Sequence, residues 1–173
     1  MNGVVLEVRV GVSMKELLCQ QLDFPEDYVE QRIQTIFLNG RAMDDIAAVP
    51  VCDGDIIALS AAMPGLAGAT LRRSGVYAVL RKNISGVDTH IRKTDHQNGS
   101  VTIKLFNDIL KEFSVIFLKK GVGIPTAKLA DLLSDIPDDI VLCFQGKPVT
   151  IPSFLSNLPP DPLTWLQTTV LKT

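Results

Sequence analysis

The sequence predicts an α+β fold, and three observations carry that prediction. Short runs with period-two alternation are interleaved with short apolar stripes at helical spacing. Three turn signals, Asn39-Gly40, Asp53-Gly54 and Gly146-Lys147-Pro148, lie beside apolar runs, as hairpin turns do. The chain has 173 residues, of which 46% are hydrophobic and 21% charged, so there is apolar surface enough to offset chain entropy.

Composition also excludes several classes. Three cysteines, Cys19, Cys52 and Cys143, are too few and too scattered for a disulfide scaffold or a zinc knuckle. Each has apolar neighbours, so each is expected to act as a buried small hydrophobe in a cytoplasmic, reducing compartment. Residues 1–7 lack a basic region and a sustained apolar run, so no signal peptide is expected. The longest uncharged run, 56–71, has 16 residues and contains Pro64, Gly65 and Gly68, which is too short and too broken to span a membrane.

Val4 to Val10 is expected to be a strand, with Leu6, Val8 and Val10 on one face and Glu7 and Arg9 on the other. Gly11 ends it. Ser13 and Glu16 form a capping box, and Met14, Leu17, Leu18 and Leu22 give a helical stripe over 14–22. A helical turn follows at 28–32. Residues 33–38 and 41–43 are expected to pair across Asn39-Gly40, since a type I′ turn needs positive φ at both central residues. Residues 44–51 connect to Asp53-Gly54 and a buried strand at 55–60. Residues 63–75 read as a Gly- and Ala-rich linker, with the connector between two units at 69–75.

Residues 76–84 fit helix and strand alike. A hairpin is expected from 89–93 and 101–105 around a polar turn ending in Asn98-Gly99. Asn107 caps a short helical turn, 115–118 reads as a strand and 125–133 as a helix. Strands are expected at 140–144 and 149–151, then an irregular Pro-rich stretch and a terminal strand at 164–171. Residues 36–43 and 141–149 both read strand, Gly turn, strand, which convergent turn chemistry explains.

The segment Ile36-Phe37-Leu38-Asn39-Gly40-Arg41, followed by Val51-Cys52-Asp53-Gly54-Asp55-Ile56-Ile57-Ala58-Leu59, resembles the ubiquitin-like β-grasp proteins. The nearest group is the sulfur carriers of molybdopterin and thiamine biosynthesis (MoaD/ThiS). Asn39-Gly40, Asp53-Gly54-Asp55, Ile57, Pro64, Gly65 and Gly68 match that group's motifs in order, over about residues 3–68. The resemblance implies a β-grasp domain at 1–68. It leaves 76–173 as a second small α+β unit with hairpins, of unknown type. β-grasp carriers open with a hairpin, and this chain offers only one strand before its first helix. Carrier chemistry needs a free terminal diglycine, whereas Gly65-Leu66-Ala67-Gly68-Ala69 is not one and about 100 residues follow it. The resemblance is therefore carried over to fold and not to chemistry.

Charge is uneven. Residues 1–70 hold 4 Lys/Arg against 10 Asp/Glu, 71–104 hold 7 against 2, and 105–173 hold 6 against 7. The basic segment is short and carries only Tyr77 as an aromatic, so nucleic-acid binding is not expected. Gly65, Gly68, Arg72, Arg73, Arg81 and Lys82 form the candidate anion- or partner-binding set, because small residues allow close approach and arginines offer bidentate donors. Gly121-Val122-Gly123 with Lys119 and Lys120 reads as a structural turn. His90 and His96, with Asp88 and Asp95, lack a third nitrogen or sulfur donor, so no metal is expected. Asp44-Asp45 and Asp138-Asp139 read as solvated or capping carboxylates, and Trp165 as an anchor for the last segment. No phosphate-loop or nucleophile-elbow motif is present. No cofactor and no catalytic set is expected. The reading is a non-catalytic binding or interaction protein with a protein partner. Its alternatives are a carrier-like precursor cut near Gly65 or Gly68, and a small enzyme or ligand-binding protein that holds an anionic ligand at a basic inter-domain site.

Overall fold

The computed structural model describes residues 3–63, 65–73, 75–77, 96–134, 136, 141–144, 146–158 and 161–167. It has an α+β fold built on a mixed seven-stranded sheet in the order β3-β2-β4-β5-β1-β6-β9. In chain order these strands are β1 Val4–Val10, β2 Thr35–Leu38, β3 Arg41–Met43, β4 Ile56–Ser60, β5 Gln97–Leu105, β6 Val122–Pro125 and β9 Leu163–Leu166. A separate hairpin pairs β7 (Leu142–Phe144) with β8 (Lys147–Val149).

The alternation in β1 works as expected. Leu6, Val8 and Val10 are buried, while Glu7 and Arg9 are exposed. Ser13 caps helix α1 (Met14–Glu16) by accepting from the Glu16 N–H at 3.1 Å. The helix then widens into a π-helical turn, Leu17–Gln21, where the Leu22 N–H bonds the Leu17 carbonyl at 3.0 Å. A short helix α2 (Glu26–Gln31) leads into β2. Asn39 and Gly40 have φ of 51° and 80°, the positive pair that a type I′ turn requires. Asn39 also locks the neighbouring strand. Its amide donates to the buried Asp55 carboxylate at 2.7 Å and accepts from the Ile56 N–H at 2.8 Å. The other Asp55 oxygen accepts from the Cys52 N–H at 2.8 Å. The Asn-Gly and Asp-Gly-Asp turns are thus one hydrogen-bonded unit.

Several expectations are corrected. Residues 65–71 form helix α3 (Gly65–Leu71), where a linker was expected. Residues 115–118 lie inside α4 (Asn107–Lys120), since Ile109, Phe113 and Phe117 recur every fourth residue and bury one stripe while Val115 faces out. The expected helix at 125–133 is instead the end of β6, a 3₁₀ turn and α5 (Leu129–Leu133). The Pro-rich stretch also contains α6 (Ile151–Ser156), capped by Thr150. The hairpin arm expected at 89–93 lies outside the described residues.

β5 decides the architecture. It lies antiparallel to β1 over seven pairs, from Val4↔Ile103 to Val10↔Gln97, and parallel to β4 over four. The sheet therefore takes strands from both sides of residues 69–75. One hydrophobic core likewise joins Leu6, Phe24 and Ile36 to Ile103, Phe113 and Phe117. Helices α1, α2 and α4 cover one face. Phe24 stacks on Phe113 with centroids 3.9 Å apart, meets Phe117 edge-on at 5.9 Å, and Tyr28 closes the cluster against Phe113 at 4.9 Å.

Burial, with the Glu112 carboxylate beside it, pushes the Tyr28 phenol up to about 12. A phenol raised in the folded state stabilises the fold below the unfolded value near 10, and that contribution is lost as pH rises toward 12. Tyr28→Phe is expected to flatten the fall in stability between those limits, as read by urea titrations at stepped pH.

Candidate functional site

The second face of the sheet carries a row of residues fixed by register. Ile56 lies opposite Thr102, Thr102 opposite Val5, Val5 opposite Gly123, and Gly123 opposite Trp165. Gly123 is what lets the row close up. A Cβ there would stand 3.2 Å from the Val5 Cβ and 3.4 Å from the Trp165 ring, so the indole lies over the glycine on the Val5 side of the sheet. Ile56 and Trp165 remain 41% and 46% exposed, large fractions for such apolar groups. Trp165 is therefore anchored on β6, as expected of it, but it also presents its ring at the surface.

Beside Trp165 the sheet splits. β1 and β6 are paired only at Val5↔Gly123. Beyond that point Gln21 stands in for a strand, its side-chain carbonyl accepting from the Arg9 N–H at 2.7 Å and its amide donating to the Arg9 carbonyl at 3.0 Å. The split leaves a cleft of about 690 Å³ lined by Glu7, Arg9, Gln21, Asn98, Ser100 and Trp165, among others. Asp53 lines it too, accepting from the Ser100 N–H at 2.7 Å and its hydroxyl at 3.2 Å. These two donors hold the Asp53 carboxyl below its usual value, so at neutral pH it is a fixed negative charge. An indole, both charge signs and planar amides suit recognition of a polar polypeptide surface.

Of the residues expected to bind an anion, the four described ones, Gly65, Gly68, Arg72 and Arg73, do not converge. Gly65 opens α3 at φ 77°. Gly68 packs so closely on Met63 that a Cβ would fall 1.8 Å from the Met63 carbonyl oxygen, a structural reason for glycine. Arg72 is exposed on the turn after α3. Arg73 turns inward. Its N–H bonds the Gln34 carbonyl at 2.7 Å, and its guanidinium reaches the Val29 carbonyl at 3.4 Å. Desolvation lowers its pKa. The hollow around it, about 420 Å³, holds Lys15 but also Glu30, Asp44 and Asp45, a set unsuited to an anion. Arg81, Lys82 and His90 lie outside the described residues.

Among the cysteines only Cys19 and Cys52 are partly buried. Cys143 is exposed on β7, which corrects the expectation that all three are buried, and none forms a disulfide. Asp45 caps the next turn by accepting from the Ala47 and Ala48 N–H groups. Among the described residues no cluster of three His, Cys, Asp or Glu could hold a metal, and no helix is long and apolar enough to cross a membrane. The signal for the cleft was present in the sequence as the alternation of β1, but its other walls come from Gln21 and Asp53 and from residues 98–100, Leu163 and Trp165, far apart along the chain. No family model, curated protein or solved structure matches the chain.

Proposed function

We propose that this chain is a non-catalytic protein-interaction module built on a ubiquitin-like β-grasp, working in the cytoplasm. The observation that carries the reading is the sheet face on which exposed Ile56 and Trp165 flank half-buried Val5 beside a polar cleft. Apolar anchors ringed by polar groups are how proteins recognise one another. The β-grasp part rests on strand order. β5 lies antiparallel to β1, with Ile103 opposite Val4, and so stands where the first strand of the opening hairpin would. Three free thiols suit a reducing compartment. Processing near Gly65 or Gly68 fits less well, because both glycines lie in α3 and a cut there would detach β5 from the strands on either side of it.

Site-specific photo-crosslinking in the native host tests the reading. A crosslinker at Glu7 or Thr102, on the face, is expected to trap a discrete protein partner. One at Lys111, exposed on α4, is expected to trap none. Trp165→Ala should weaken the captured complex by about 2 kcal/mol or more, as removal of a central aromatic anchor does. Identical adducts at Glu7, Thr102 and Lys111 would remove the reading.

A further inference from the structure

On the helix-covered side of the sheet, away from the open face, lies a half-enclosed cavity of about 550 Å³. Its position follows from the stripe on α4. Ile109, Phe113 and Phe117 fill the core, while the adjoining stripe Leu110, Ser114 and Leu118 is only partly covered. That second stripe faces Val122 and Ile124 of β6 and Leu132 of α5. The volume and the apolar walls are those of a small-molecule site. Among the described residues the only charged groups lining it are Lys128 and Asp131, three residues apart and both exposed. Neither side chain makes an ion pair or hydrogen bond among the described residues. The mouth therefore offers one cationic donor and one anionic acceptor with no net charge. A head group of a single charge sign would meet one favourable and one unfavourable partner there. A hydroxyl both accepts and donates, and complements both.

We propose that this cavity binds one single-chain amphiphile, its tail between α4 and β6 and its uncharged, hydroxyl-bearing head between Lys128 and Asp131. The site is independent of the interaction face and stands or falls without it. Isothermal titration of the full chain with three probes of equal tail tests it: 1-monododecanoylglycerol, dodecanoate and dodecylammonium, each below its micelle concentration. The neutral probe is expected to bind saturably at one site and tightest of the three. Each methylene removed from its tail should weaken binding roughly 4-fold. Lys128→Ala and Asp131→Ala should each weaken it about 10-fold, since each leaves a hydroxyl contact to a charged group unmade. Both positions are exposed, so these variants keep the fold. Ser114→Phe should fill the cavity and abolish binding, with an unchanged circular-dichroism spectrum showing that the chain is folded. Should that variant not fold, the tail series and the two rim variants decide. Absence of saturable binding would overturn the proposal, as would tighter binding of either charged probe, or indifference to both rim substitutions.

Discussion

Phe24→Ala is expected to lower the unfolding free energy by about 3–5 kcal/mol, the usual cost of removing a buried phenylalanine. Phe24 is 1% exposed and lies between residues of α2 and α4, touching Tyr28, Phe113 and Phe117. Two of those three partners come from the later part of the chain, so the lost contacts cannot be confined to residues 1–68. The loss is large against the roughly 5–15 kcal/mol that holds a domain together. Urea titration followed by far-ultraviolet circular dichroism and by the fluorescence of Trp165, the single tryptophan, measures it. Both signals should shift together in parent and variant, because one core spans the chain. A Trp165 transition that stays put while the dichroism shifts would mean that β6 and β9 melt apart from the Phe24 cluster.

The same dependence on distant partners explains which parts of the fold were legible in the sequence. Ser13 with Glu16 acts through neighbouring backbone groups, and Asn39-Gly40 and Gly54 supply the positive φ their turns need, so these turns are legible locally even though their side chains also bond distant strands. The run Val115-Ile116-Phe117-Leu118 misleads because four consecutive apolar residues satisfy either period. The stripe Ile109, Phe113, Phe117 extends past it and decides for helix. Asn98-Gly99 misleads for a different reason. Gly99 sits within β5 opposite Val8, where a Cβ would come 2.9 Å from the Asp53 carboxylate and 3.0 Å from Val10. Glycine is needed there for close packing, and nothing in its immediate neighbours distinguishes that from a turn. The cleft beyond its β1 wall was illegible for the same cause. Trp165 becomes a surface anchor only because Gly123 pairs with it and Val5 lies beyond, and pairings at such separation leave no local trace.

Residues 1–77 expressed alone are expected not to fold, although they contain the whole 1–68 segment that resembles a β-grasp domain. Without β5, the seven pairs on one side of β1 and the four on one side of β4 are lost together. Val101, Ile103 and Leu105 would leave the core, and each buried side chain of that size contributes about 1.5–3 kcal/mol. Three of them approach the entire stability of a small domain, before the loss of Phe113 and Phe117 is counted. Residues 96–173 supplied as a second chain should restore the fold, since β5 needs alignment with β1 and β4 but not the covalent link through 78–95. The expected readout is a one-to-one complex on size exclusion, with dispersed amide resonances that neither piece shows alone. The cost is that a loop closure becomes a bimolecular encounter, so the complex should melt at a temperature that rises with concentration. A fragment 1–77 that folds unaided would instead mean that β1 and β4 can close up without β5, and that the later part of the chain is an addition to a domain already complete.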